Sequence, residues 1–223
     1  AGENARVIAL KKLTSLRKRQ RKNLNAATGS ANPLLDHVVV VQNRMDLAER
    51  WLVEKNLQDV SLAGTFPTHD FGRQMETAAR FIAGGSAVPV IKCALGGFDT
   101  HAGQLGRHRR LLTQLAEGLS SFARAMKGVG MWDDVLVMTY AEFGRRPREN
   151  ASSGTDHGTA APQLILGGRV RGGFYGEQPP LDRLEGQNLA YRLDFRALYA
   201  TVARRWWGLD GKFLGPRTLP LIT

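Results

Sequence analysis

Five side chains able to hold a metal ion or move a proton fall within three short strings. Asp99 and His101 lie in Gly96-Gly97-Phe98-Asp99-Thr100-His101, Glu142 in Tyr140-Ala141-Glu142-Phe143-Gly144-Arg145-Arg146, and Asp156 and His157 in Gly154-Thr155-Asp156-His157-Gly158. Carboxylates and imidazoles without a thiolate are the donors that zinc, manganese and iron sites use, and a carboxylate-rich set also suits calcium or magnesium. Each string alone has a plainer reading: Asp99 as the cap of a following helix, His157 as a hydrogen-bonded loop residue. Three such strings, each beside an apolar run, point to one shared site. The flanking glycines let the backbone turn sharply or approach a ligand. Arg145 and Arg146 follow the second string, where guanidinium groups beside a cation suit phosphate or sulfate oxygens; Arg148 reads as surface charge. His37, His69 and His108 read as structural.

The elements that must position these strings follow from apolar periodicity. Short apolar runs at 88–95, 135–139 and 163–166 predict buried strands, and steps of three and four over 71–83, 105–126 and 194–207 predict helices. A further helical period covers 34–52. Strands alternating with helices predict an α/β fold with a mostly parallel central sheet flanked by helices, in which ligands bind at the carboxyl ends of the strands.

Composition narrows the class. At 223 residues, 43% hydrophobic and 23% charged, the chain suits a folded domain rather than a disordered one. No apolar run approaches the roughly 18–20 residues of a membrane span. Cys93 is the one cysteine, which excludes an internal disulfide and a cysteine-based zinc site. The sequence opens on Ala with no apolar leader, and a processed or trimmed product is the expectation. The formal charge is +11, and residues 1–25 carry +7 of it, with eight basic residues against Glu3. Leu10, Leu13, Leu16 and Leu24 make that stretch read as a basic amphipathic helix.

The strings GGFDTH (96–101), TYAEFGRR (139–146), ENASSGTDHG (149–158), LILGGRVRGGFYGEQPPL (164–181) and DFRALYATVARRWWGL (194–209) resemble a large bacterial sulfatase-like family of unknown function. That family is placed in the alkaline phosphatase superfamily, and many members carry a twin-arginine export signal. The resemblance implies an alkaline-phosphatase-like core over 61–223, present in part, behind a basic helical segment 1–60. It implies divalent ions, zinc foremost, with calcium, magnesium or manganese as alternatives. Asp99 and His101 resemble half of the first ligand set, and His157 the histidine that completes it. Glu142-Phe143 stands where the superfamily places an Asp-His pair for a second ion. The superfamily's N-terminal strand, with a ligand carboxylate and the nucleophile, has no counterpart in residues 1–60. The resemblance therefore implies a missing N-terminal portion, assigns no catalytic nucleophile, and places the protein in the periplasm or outside the cell.

Three functions are expected in descending order. A metal-dependent hydrolase of phosphate or sulfate esters would hold one or two cations on Asp99, His101, Glu142 and His157. Arg145 and Arg146 would bind the anion, and Asp156 would ligate or orient His157. A non-catalytic relative would keep the fold to bind an anionic glycan or a protein partner. Nucleic-acid binding through residues 1–25 comes last, since that stretch has no interleaved aromatics and no zinc-finger or RNA-recognition signature.

Overall fold

The computed structural model describes residues 7–9, 59–86 and 88–223. The helical expectation for 34–52 lies outside them, as do His37 and nearly all of the basic segment. The chain divides into two compact units, residues 1–96 with 113–129 and residues 97–112 with 130–223.

In the first unit, α1 (Asp70–Ala83) forms where the period over 71–83 predicts it. His69 is its N-cap: the extended backbone frees Nδ1 to accept from the Gly72 N–H at 3.0 Å, and Asp70 puts negative charge in the first turn. The helix stops at Gly84, whose N–H returns to the Arg80 carbonyl at 2.9 Å. Phe71, Met75, Ala78 and Ala79 form its buried face, and Phe81 is buried too. The long helix α2 (Gln104–Gly128) contributes to both units. Its second half buries Leu119, Phe122, Ala125 and Met126 in the first. Gly118 permits the close approach to α1, because a Cβ there would stand 2.6 Å from the Phe71 ring.

The strands β1 (Val7–Ala9) and β2 (Val90–Lys92) pair in parallel, Val7 beside Val90. Val7–Ala9 is thus extended at a place the basic-helix reading of residues 1–25 covered, while Leu10 to Leu24 lie outside the described residues. Val7-Ile8 and Val90-Ile91 are β-branched, which favours extended pairing, and the leucine period begins only at Leu10.

The second unit holds three antiparallel ladders: β3 (Val137–Met138) with β6 (Ile165–Leu166), β4 (Gly144–Arg145) with β5 (His157–Gly158), and the hairpin β7 (Leu184–Glu185) with β8 (Asn188–Leu189). The predicted closing helix is α3 (Phe195–Thr201), continued by a π-helical turn over Val202–Trp206. Asp194 caps it by accepting from the Arg196 N–H at 2.8 Å. Leu198 and Val202 pack with Leu219, Leu221 and Ile222, and Met138, Ile165, Leu193 and Trp206 close around them. Thr201, fully buried, ties the layers by donating to the Ala197 carbonyl at 2.6 Å and accepting from the Leu219 N–H at 2.8 Å.

The fold is mixed α/β. Among the described residues strand pairing consists of four two-stranded ladders, one of them parallel, and an isolated antiparallel bridge between Val170 and Ile222, and no parallel central sheet forms. The reason is visible between 139 and 163. No helix crosses from β3 to β6, so the chain doubles back and pairs antiparallel, the geometry that needs no crossover. No helix among the described residues is long and apolar enough to cross a membrane.

Candidate metal centre

The site is built within the second unit from two loops and one ladder. Residues 98–103 run from β2 towards α2, and residues 146–156 join β4 to β5. The loops zip together through the main chain: the Gly103 N–H donates to the Ser152 carbonyl at 3.0 Å, Gln104 N–H to Ser153 at 2.8 Å, and Thr155 N–H to Thr100 at 3.2 Å. The bond to Ser153 satisfies a first-turn amide of α2 that has no partner inside the helix. Gly154 lets this happen, since a Cβ there would overlap the His101 carbonyl. Across the β4–β5 ladder Arg145 stands directly opposite His157, so both side chains rise from the same face.

Three ligand atoms converge there. Asp99 Oδ1 lies 3.0 Å from His101 Nε2 and 2.9 Å from His157 Nε2, and the two imidazole nitrogens are 3.1 Å apart. Ligands at about 2.0–2.1 Å around a tetrahedral zinc ion stand about 3.3 Å from one another, so the triangle needs only a few tenths of an ångström to receive one. Two ring nitrogens this close cannot both carry a hydrogen aimed at the other, so at least one presents a lone pair. All three side chains are about half exposed, at 56% for Asp99, 50% for His101 and 49% for His157, which leaves one side of the triangle open.

The surroundings aim the ligands. His101 Nδ1 faces Asp156 Oδ1 at 3.5 Å, a contact that favours the tautomer with its hydrogen on Nδ1 and its lone pair on Nε2. The His157 ring stacks on Phe143, centroids 3.7 Å apart and planes within 13°. Arg145 Nη1 donates to Asp99 Oδ1 at 2.9 Å, Nε donates to Thr155 Oγ1 at 2.9 Å, and Nη2 donates to the Thr155 carbonyl. The His157 contact first, and Arg145 second, hold the Asp99 carboxyl below the usual carboxylate range. Asp156 is lowered as well, chiefly by the hydrogen bond from Asn150, then by His101 and Arg146.

Of the predicted site residues, Asp99, His101 and His157 form the cluster, and Glu142 lies outside it, exposed. Phe143 and Arg145, two residues apart, both meet the cluster, whereas Glu142 sits at a bend before β4 and is left in solvent. Asp156 serves His101 rather than its neighbour His157. Arg145, expected to hold an anion, spends three of its five N–H groups on Asp99 and Thr155. Arg146 reaches Gln187 Oε1 at 2.6 Å and Asp156 Oδ2 at 3.5 Å. His108 meets Phe98 edge-on at 5.9 Å, a packing role. Phe143 and Asn150 are the residues sequence reasoning passed over. Asn150 carries a partial signal, since Asn followed by Ala-Ser-Ser-Gly suits a turn closed by its own side chain. Nothing in sequence marks Phe143 as the platform for His157.

A scan against family models matches residues 4–214 to the family described as "Protein of unknown function (DUF1501)". No sulfatase or alkaline phosphatase family model matches, which corrects the resemblance drawn from the motifs. The shared strings carry metal-site chemistry, and such chemistry recurs on unrelated folds, so it did not establish that descent. No curated protein and no solved structure matches the chain. With nearly its whole length matched, the chain belongs to the DUF1501 family of proteins of unknown function.

Proposed function

We propose that the protein is a divalent-metal-dependent hydrolase of an anionic ester, a phosphate or a sulfate. The observation that carries the reading is the triangle of Asp99 Oδ1, His101 Nε2 and His157 Nε2, 2.9–3.1 Å on a side and open to solvent. Two imidazoles, one carboxylate and an open position make up the ligand pattern of catalytic rather than structural zinc sites. Two nitrogen donors favour zinc over calcium or magnesium, which take oxygen. A cation held there would polarise the ester and lower the pKa of a bound water. Asp156 favours the His101 tautomer that presents Nε2, and Phe143 fixes the plane of His157. Arg145 hydrogen-bonds the ligand carboxylate, and its remaining N–H groups would face charge building on the ester oxygens. Water is the nucleophile in this reading, because both nearby hydroxyls are engaged. Thr100 is 1% exposed and bonds the Phe98 carbonyl, and Thr155 accepts from Arg145.

Those engaged hydroxyls also favour a second reading, metal-dependent binding of an anionic ligand without turnover. One experiment separates the two. The purified chain is loaded with zinc or manganese and assayed on aryl phosphate and aryl sulfate esters, before and after chelation. Turnover that disappears with chelator and returns with metal supports the hydrolase. Metal retention with no turnover of either ester supports binding alone, and a protein that retains no divalent ion refutes both.

A further inference from the structure

We infer that Asn150 is a positioning residue of the metal centre, holding the His101 backbone and the Asp156 carboxylate so that His101 Nε2 is presented to a cation. The inference rests on the metal reading above and extends it to a residue outside the ligand set.

The Asn150 carboxamide is fully used. Its Nδ2 donates to the His101 carbonyl at 3.0 Å and to Asp156 Oδ1 at 3.2 Å. Its Oδ1 accepts from the Ser152 N–H at 2.9 Å and the Gly154 N–H at 3.1 Å. Two N–H groups and two lone pairs are all that the group possesses. It therefore reaches His101 twice, directly at the carbonyl and through Asp156 at the ring nitrogen, 3.5 Å away. The main chain fixes the carboxamide in turn: the Asn150 N–H donates to the Gly154 carbonyl at 2.8 Å, and the Ser153 N–H donates to the Asn150 carbonyl at 3.2 Å. Ser153 adopts φ +56° to close this turn, left-handed backbone that a non-glycine residue keeps only where its surroundings demand it.

The requirement for asparagine follows from the bonds. Aspartate would keep both acceptor contacts but lose both donors and set a second carboxylate against Asp156. Glutamine would be one methylene too long for four fixed partners. Alanine would lose every bond. Partners that aim a metal ligand commonly account for about 10–100-fold in metal affinity, although they never touch the metal.

The test titrates the purified, metal-free chain with zinc alone, for the wild type, Asn150→Asp, Asp156→Ala and the double variant Asn150→Asp/Asp156→Ala. Near-ultraviolet circular dichroism and melting of the metal-free proteins report on folding. Asn150→Asp, which preserves the turn contacts, is expected to bind zinc about 10–100-fold more weakly while melting close to the wild type. Asn150 reaches the His101 ring through Asp156, so the two losses overlap, and the double variant is expected to bind zinc more tightly than the product of the single losses. A purely structural Asn150 would show the melting change without that coupling in affinity. Wild-type affinity in Asn150→Asp, or losses that simply multiply in the double variant, overturns this inference alone. A wild type that binds no zinc overturns the metal reading and this inference with it.

Discussion

Replacing His157 by alanine removes one corner of the ligand triangle and leaves the β4–β5 ladder in place, because that pairing uses main-chain groups. Four-ligand zinc sites bind with about 10–16 kcal/mol, so one ligand averages about 3 kcal/mol, or about a hundredfold in Kd. Two features of the site adjust that figure downwards. The His157 ring is 49% exposed, so water can take the vacated position. Phe143, stacked on the ring at 3.7 Å, can also settle into the gap. The expectation is a loss of about 10–100-fold, read by competition with a chromogenic zinc chelator. Phe143→Leu is the control: it removes the stacked platform and spares the ligand, so its loss stays below about tenfold. Affinity of His157→Ala within about twofold of the wild type refutes the reasoning, as does a Phe143→Leu loss equal to it.

Phe81 is fully buried, and Phe81→Ala is expected to lower unfolding free energy by about 3–5 kcal/mol in a denaturant titration. Burial pushes the Cys93 thiol up from 9.0 to about 11. At pH 8 the folded protein should therefore react with a disulfide reagent about a hundredfold more slowly than the unfolded chain. The sign of the linked stability follows: the folded thiol keeps its proton longer, so stability present below 9.0 declines as pH climbs towards about 11. Asp194 is the reverse case, held at about 2 by Arg196 against an ordinary 3.8. Its contribution is complete above 3.8 and fades as pH falls towards about 2; in Asp194→Asn that part of the acid-melting slope disappears.

The helices α1 and α2 were legible because a 3.6-residue period sustained over three or more turns has few other readings. The runs at 135–139 and 163–166 were legible as strands but not in direction. Apolar content does not encode the sense of a partner, and only the missing helix between them decides it. Residue type alone flagged Asp99, His101 and His157, since few other side chains bind metals. Sequence placed Glu142 among the ligands and had Asp156 ligate or orient His157; the structure groups neither with the three ligand atoms and sets Asp156 against His101. Asn150 reaches His101 across 49 residues, and a contact of that span leaves no local pattern. Within the basic stretch 1–25 the described residues are Val7–Ala9, and they answer to a strand more than 80 residues away, a pairing no local pattern announces.

The ladder that joins Arg145 to His157 also restricts how the family can vary. It is two residues long, and the side-chain period along a strand is two. An insertion or deletion between Arg146 and Asp156 that slipped the ladder by one would turn His157 to the opposite face, away from Asp99 and His101. Changes of two would preserve the facing but break the turn that Asn150 closes over Ser152 and Gly154. The inheritance of this loop is thus expected to be nearly rigid in length, even though every residue from 147 to 149 and from 151 to 153 is exposed. Solvent-facing loops ordinarily gather insertions; here the constraint is a counting rule, and aligned relatives should display it as a gap-free stretch in an otherwise permissive surface.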